Sequence, residues 1–231
     1  MVQFLEDAIE KEKDAFSVNA MMLSMANPEV VDGAGDYYCA LGWAYAYGKD
    51  KSADKIVQQG IGHRKLFSCC AGASIYRKKV FDEIGLFDEE HFAYLEDVDI
   101  GYRARLAGYK NYFEPIAMCE HAGSGSSGSR YNEFKISLSS RNSIYLIRKN
   151  MPLLQRIINV PFFVIGFGIK LLFFCLKGYG EVYLKGLFEG FKLSHSENGK
   201  KHKVKFTFSR LPNYIIIQFE LWINMIRRMW S

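Results

Sequence analysis

Glu96, Asp97 and Asp99 form a tight group of potentially reactive side chains within the string Leu95-Glu96-Asp97-Val98-Asp99. Leu95, Val98, Tyr102 and Leu106 recur at helical spacing and Gly108 supplies a stop, so the string is expected to open a helix. At a helix start, unpaired backbone N–H groups favour ionised carboxylates. Simple capping accounts for such a cluster; proton abstraction by one member is the chemical alternative. Asp99 lies four residues before Arg103, a spacing that suits a structural ion pair. A hydrolytic metal site built from His63, His91, His121 and neighbouring carboxylates lacks His-x-x-x-His or comparable ligand spacing.

The elements around this block follow from pattern. Residues 2–16 place Phe4, Leu5, Ala8, Ile9 and Phe16 among charges and predict an amphipathic helix; residues 17–23 predict a short strand. Residues 30–48 interleave glycines with aromatics, as in a hairpin or irregular loop, and residues 49–64 read as an exposed charged loop. Small and apolar residues from 66 to 76 suit a buried strand in which Gly72 lets a backbone or ligand approach closely. A short helix over 78–84, a loop over 86–94 and a returning strand over 111–119 frame the carboxylates, and a further helix is expected within 131–150. The Ser/Gly run 122–130 reads as a linker or a loop that orders on binding.

Composition sets outer limits. The 231 residues are 49% hydrophobic and 24% charged, which are globular values. Five cysteines without a Cys-x-x-Cys pair suggest neither a disulfide framework nor a structural zinc site, and the N-terminus lacks the pattern of a secretory signal. The net charge of +5 divides unevenly: residues 1–140 sum to −6 and residues 141–231 to +11. The basic part is also rich in Phe, Leu, Ile and Trp, which points to an anionic membrane surface and not to nucleic acid. Residues 157–176 reach spanning length only by including Asn159 and Lys170, so an interfacial helix is favoured over a crossing. Residues 213–230 predict a second interfacial helix, and 194–205 an exposed loop near anionic lipid.

Several strings in order carry a family resemblance. Gly72-Ala73-Ser74-Ile75-Tyr76-Arg77, Ile84-Gly85-Leu86-Phe87-Asp88-Glu89 ("G-x-F-D-E") and Phe92-Ala93-Tyr94-Leu95-Glu96-Asp97-Val98-Asp99 ("E-D-x-D") are followed by His121, Arg141-Asn142 and Lys149-Asn150-Met151-Pro152. Together, over roughly residues 67–150, they resemble the second half of the catalytic domain of family 2 glycosyltransferases, especially rhamnosyltransferase-like bacterial members. The resemblance implies an α/β fold: the C-terminal portion of a GT-A, Rossmann-like domain over 1–150, then a mainly helical membrane-associated region over 151–231.

The implied activity is inverting transfer of a sugar from a nucleotide-sugar donor to a glycan or lipid-linked acceptor, in bacterial surface polysaccharide synthesis at the cytoplasmic face of the plasma membrane. Asp97 matches the family's catalytic base, Glu96 an acceptor-contacting position, and His121 a histidine that helps hold a divalent cation, Mn or Mg. Trp43 stands in the segment facing the acceptor, where it either stacks on sugar or covers a small core; Arg130 falls near the expected diphosphate. The family's nucleotide-binding half, with its Asp-x-Asp metal motif, has no counterpart in these residues. A split enzyme completed by a separately encoded N-terminal half is therefore expected, with weak donor binding by this chain alone. The alternative is an inactive remnant acting as a membrane-surface or scaffold protein.

Overall fold

Ala15 to Met22 is a run without a wet face, and it becomes the central strand of the protein, buried along its length. The computed structural model describes residues 1–60, 64–123 and 131–229. Helix α1 (Val2–Lys11) buries Leu5, Ala8 and Ile9 before the chain enters β1 (Ala15–Ser24). Strands β2 (Asn27–Gly33), β3 (Asp36–Cys39) and β4 (Trp43–Ala46) precede α2 (Ala53–Gly60) and β5 (Arg64–Leu66). A 3-10 turn over Ala71–Ala73 leads to β6 (Ser74–Tyr76), α3 (Lys78–Ile84), α4 (Glu96–Leu106) and β7 (Lys110–His121). The remaining helices are α5 (Glu133–Asn150), α6 (Leu153–Leu176), α7 (Gly180–His195), α8 (Glu197–Lys201) and α9 (Leu211–Met229).

The architecture is mixed α/β. Its main sheet runs β2-β1-β7-β5, with β6 also paired to β1, while β3 and β4 form a separate hairpin. β1 and β7 are parallel and so need a crossover between them; that crossover carries α2, α3 and α4. Helix α4 comes very close to the chain after β5. A Cβ on Gly101 would stand 2.5 Å from Ser68 Cβ, so only glycine lets the middle of α4 approach that segment.

Four expectations are corrected. The opening helix ends at Lys11, because Phe16 turns into β1 and packs its ring on Tyr76 and Phe81. Residues 49–64 are not all loop: α2 forms there, anchored by the fully buried Ile56. The buried strand expected over 66–76 is broken in two. Asn19 Oδ1 accepts the Cys70 N–H at 2.6 Å and the Ser74 hydroxyl at 3.0 Å, which draws the chain out of the ladder. Within 194–205, Ser196 Oγ accepts the Gly199 N–H at 3.1 Å and starts the short α8.

The C-terminal helices have two different relations to the core. Helix α9 is not only a surface element: Tyr214, Ile217 and Leu221 join the main core, and Asn224 Nδ2 donates to the Tyr38 carbonyl at 3.0 Å. Its other face exposes Ile215, Ile216, Phe219, Ile223 and Ile226. Helix α6, 24 residues long, is the one helix among the described residues long and apolar enough to cross a membrane, and it leaves most of its apolar side chains exposed.

Candidate functional site

The approach to α4 is strained. Phe92, Tyr94 and Leu95 have φ of 57°, 69° and 68°, values that cost a non-glycine residue about 1–3 kcal/mol each. Such a path persists only if its surroundings impose it. Helix α5 does so: Asn142 Nδ2 donates to the carbonyls of His91, Ala93 and Tyr94, each at 2.8 Å, and the Arg141 guanidinium donates to Glu90 O at 2.7 Å and His91 O at 3.1 Å. Sequence reading put the Arg141-Asn142 pair on a helix without assigning it this task.

The strained segment delivers Glu96 and Asp97 to the start of α4, where Asp97 Oδ1 accepts the N–H of Val98 at 2.7 Å and Glu96 Oε2 is buried without a hydrogen-bond partner. A third carboxylate joins them. Asp36, at the start of β3, is fixed through its backbone to Ser68: its N–H donates to Ser68 O at 2.9 Å and its carbonyl accepts the Ser68 N–H at 3.2 Å. Burial and the charge of Glu96 raise the Asp36 carboxyl to about 6. Burial, then the charges of Asp36 and Glu96, push Asp97 well above the usual carboxylate range. The sequence suggested the reverse, a carboxylate ionised easily by the helix dipole. Low solvation and two like charges outweigh a dipole effect of about 0.3–1 kcal/mol. Burial and the same acids lift the Cys70 thiol to about 12, so it is a poor nucleophile at neutral pH.

Glu96 also lines a cavity of about 280 Å³, together with Ala71, Phe87 and Phe92. Gly72 sits beside it on the exposed 3-10 turn, where an added Cβ would meet only Cys70 Sγ at 3.8 Å. Asp36 escaped the sequence reading. The available signal was Gly35, whose φ of +87° makes the tight turn that aims the acid.

Asp99 has the opposite environment. Lys149 Nζ reaches Asp99 Oδ2 at 2.8 Å and Asp88 Oδ2 at 2.7 Å, Arg103 Nε reaches Asp99 Oδ2 at 3.0 Å, and Asn150 Nδ2 donates to Asp99 Oδ1 at 2.8 Å. Burial alone would raise this carboxyl, yet Lys149, His91 and Arg103 hold it well below the usual range. Asp88, His91 and Asp99 offer ligand atoms within 4.8 Å of one another, as a metal site would. The Lys149 ammonium bridges the two carboxylates and supplies the cation instead. Arg103 also donates to the Ile84, Gly85 and Leu86 carbonyls, at 2.5, 3.1 and 2.8 Å, and so ties the "G-x-F-D-E" turn to α4. The structural pairing of Asp99 with Arg103 is as the spacing suggested.

The other candidates lie apart. His121 Nδ1 is 2.5 Å from Asp32 Oδ2, whose second oxygen is 2.5 Å from Lys49 Nζ. On β1, His121 is aligned with Ser24, whereas Cys70, which feels the charge of Asp97, is bonded to Asn19. Along β1 those two positions are five residues, or about 16 Å, apart. Trp43 donates from its indole to Gly166 O at 3.1 Å and has Lys170 Nζ 5.5 Å from a ring centroid, so α6 engages its edge and one face. Arg130, His63 and most of the 122–130 run lie outside the described residues.

Comparison with known proteins bears on this site. No protein-family model matches the chain. Over 54 residues it is 39% identical to the N-acetylglucosaminyl-diphospho-decaprenol L-rhamnosyltransferases of two Mycobacterium tuberculosis strains, CDC 1551 / Oshkosh and ATCC 25618 / H37Rv. The relationship is glycosyltransferase-like. The match covers 23% of this chain and 18% of the length of each relative, so it speaks for a family-level relationship and not for a shared substrate.

Proposed function

We propose that the chain forms the acceptor-side, base-bearing part of an inverting GT-A glycosyltransferase of family 2, completed by a nucleotide-binding half. The observation that carries this reading is Asp97: a carboxylate of raised proton affinity, delivered by a strained loop and adjacent in sequence to the cavity-lining Glu96, in a block similar to the family's "E-D-x-D". In the reaction, the acceptor hydroxyl oxygen bonds to the anomeric carbon as that carbon's bond to the diphosphate oxygen breaks. The hydroxyl proton passes to Asp97, and the electron pair leaves with the diphosphate. A carboxylate that holds its proton tightly is a stronger base once ionised, which suits a weakly acidic alcohol. Glu96, lining the cavity, is the group placed to accept hydrogen bonds from acceptor hydroxyls.

The family's reaction calls for a divalent cation, and His121 fits the part of a ligand. Asp32 orients the ring through Nδ1 and, among the described residues, Nε2 has no partner, the pairing common in metal-ligating histidines. The ion, Mn or Mg, would supply positive charge toward a nucleotide diphosphate. Exposed apolar rows on α6 and α9 and the basic charge of 141–231 support attachment to an anionic membrane surface, on the cytoplasmic side.

The test is sugar transfer to a lipid-linked acceptor by membranes that contain this chain and a complementary nucleotide-binding half. Asp97→Asn is expected to lower kcat/KM by about 10²–10⁴-fold, and His121→Ala to raise the Mn requirement. The alkaline rise of kcat/KM should lie above the usual carboxylate range, and Asp36→Asn should move it to lower pH by removing a negative charge from beside Asp97. Full activity in Asp97→Asn would refute the base assignment.

A further inference from the structure

A second cavity, of about 870 Å³, opens between the first turns of α6, helix α9 and the strap 200–206. Its size is within the range of about 300–1,000 Å³ common for ligand pockets. Its walls are apolar, with Ile158, Phe206, Ile215 and Phe219 among them, and no acidic residue among the described residues lines it. Yet four polar groups in these walls, Gln155 Nε2, Arg156 Nε, Tyr214 Oη and Trp222 Nε1, are buried without a hydrogen-bond partner. Each can donate a hydrogen bond. Gln155 and Tyr214 are both only 5% exposed, so the unmet donors lie deeper than the exposed Lys200, Lys203 and Lys205 that edge the groove. Leaving buried donors unpaired costs about 1–3 kcal/mol each, so four in one apolar groove point to a ligand rich in acceptor oxygens.

We propose that this groove binds an anionic glycerophospholipid drawn from the bilayer. One acyl chain lies along the apolar wall, the ester carbonyls accept from the buried donors, and the phosphate meets the lysine edge. The groove combines apolar wall, buried donors of which Gln155, Tyr214 and Trp222 are neutral and Arg156 is charged, and a lysine edge, the kinds of surface that suit the acyl chain, esters and phosphate of such a lipid. The exposed apolar faces of α6 and α9 continue outward from the groove and bring it to the membrane. The inference rests on the reading that this face meets a bilayer, and not on sugar transfer.

Trp222 gives a direct readout. In full-length protein carrying Trp43→Phe and Trp230→Phe, its fluorescence is followed on titration with vesicles of phosphatidylcholine, alone or mixed with phosphatidylglycerol bearing brominated acyl chains. Quenching by the brominated phosphatidylglycerol is expected, with affinity falling about tenfold or more in Lys200→Glu/Lys203→Glu/Lys205→Glu, a surface variant whose fold is checked by its thermal melt. Tyr214→Phe, or ether-linked phosphatidylglycerol in place of the ester form, should weaken binding without changing its salt dependence. Equal binding to neutral and anionic vesicles, no response to the triple variant, or concentration-dependent dimerisation that shields Trp222 without lipid would each overturn the proposal. An Asp97→Asn protein that binds lipid normally separates this outcome from any failure of the glycosyltransferase reading.

Discussion

Asp97 and Asp99 stand two positions apart on α4 and have opposite fates. Two residues turn a helix by about 200°, so one carboxylate meets the charges of Asp36 and Glu96 while the other meets Lys149 and Arg103. Both are poorly solvated. What separates them is the sign of the charges they meet. Around Asp99 the protein has completed its own ion pairing, whereas around Asp97 it has gathered like charges. The first arrangement secures the helix and the second stores unfavourable electrostatic energy, a feature that clusters at functional sites.

The largest effect should come from breaking the completed side. Lys149→Met leaves Asp88 and Asp99 buried without their shared ammonium, and removing one member of a buried pair costs about 3–5 kcal/mol. Urea denaturation of the variant should show that loss, while Asp97→Asn should be neutral or stabilising at pH 7. If the two substitutions destabilise equally, the distinction between the two clusters is wrong.

Much of this distinction could be read in the sequence, and the unread part has a physical reason. Helical spacing placed Glu96, Asp97 and Asp99 at one helix start and paired Asp99 with Arg103, because both are local features of one element. Asp36 and Lys149 are far away in sequence and reach α4 only through tertiary packing: Asp36 through the Gly35 turn and its bonds to Ser68, Lys149 through the approach of α5. The dipole argument for Asp97 failed for the same cause, since it counted the field of its own helix and none of the neighbouring acids. Strand breaks were equally hidden. Nothing in residues 66–76 shows that Asn19 will take the Cys70 N–H.

The next effect is a pH dependence of opposite sign on the two sides. Asp36 binds its proton up to about 6 in the folded protein, against 3.8 when unperturbed. A raised carboxyl retains protons in the folded state that the unfolded chain has already released, so stability falls as pH rises through that interval and levels off above it. Asp36→Asn removes the part of this dependence that Asp36 contributes. Relative to wild type it should gain on the order of 2 kcal/mol between pH 4 and pH 7, measured by denaturant unfolding at each pH. Asp99 carries the opposite sign: its depressed carboxyl contributes stability above its unfolded value that is lost as pH falls through its folded one. Parallel slopes in wild type and Asp36→Asn would show that the Asp36 carboxyl is not perturbed.

The smallest global effect, and the most local one, concerns the loop that holds Asp97 in place. Asn142→Ala removes the donor shared by His91, Ala93 and Tyr94, but it also releases backbone held at positive φ in Phe92, Tyr94 and Leu95. Lost hydrogen bonds and relieved strain are of similar size and opposite sign, so net stability should change by only about 1 kcal/mol. Amide hydrogen exchange should nevertheless quicken over residues 92–98 and stay slow at Ile100 to Leu106, where α4 remains anchored by the ion pairs of Asp99. Exchange that rose equally through both stretches would mean that the strained loop and the neutralised core open as one unit, and that Asn142 supports the whole helix and not the carboxylate at its start.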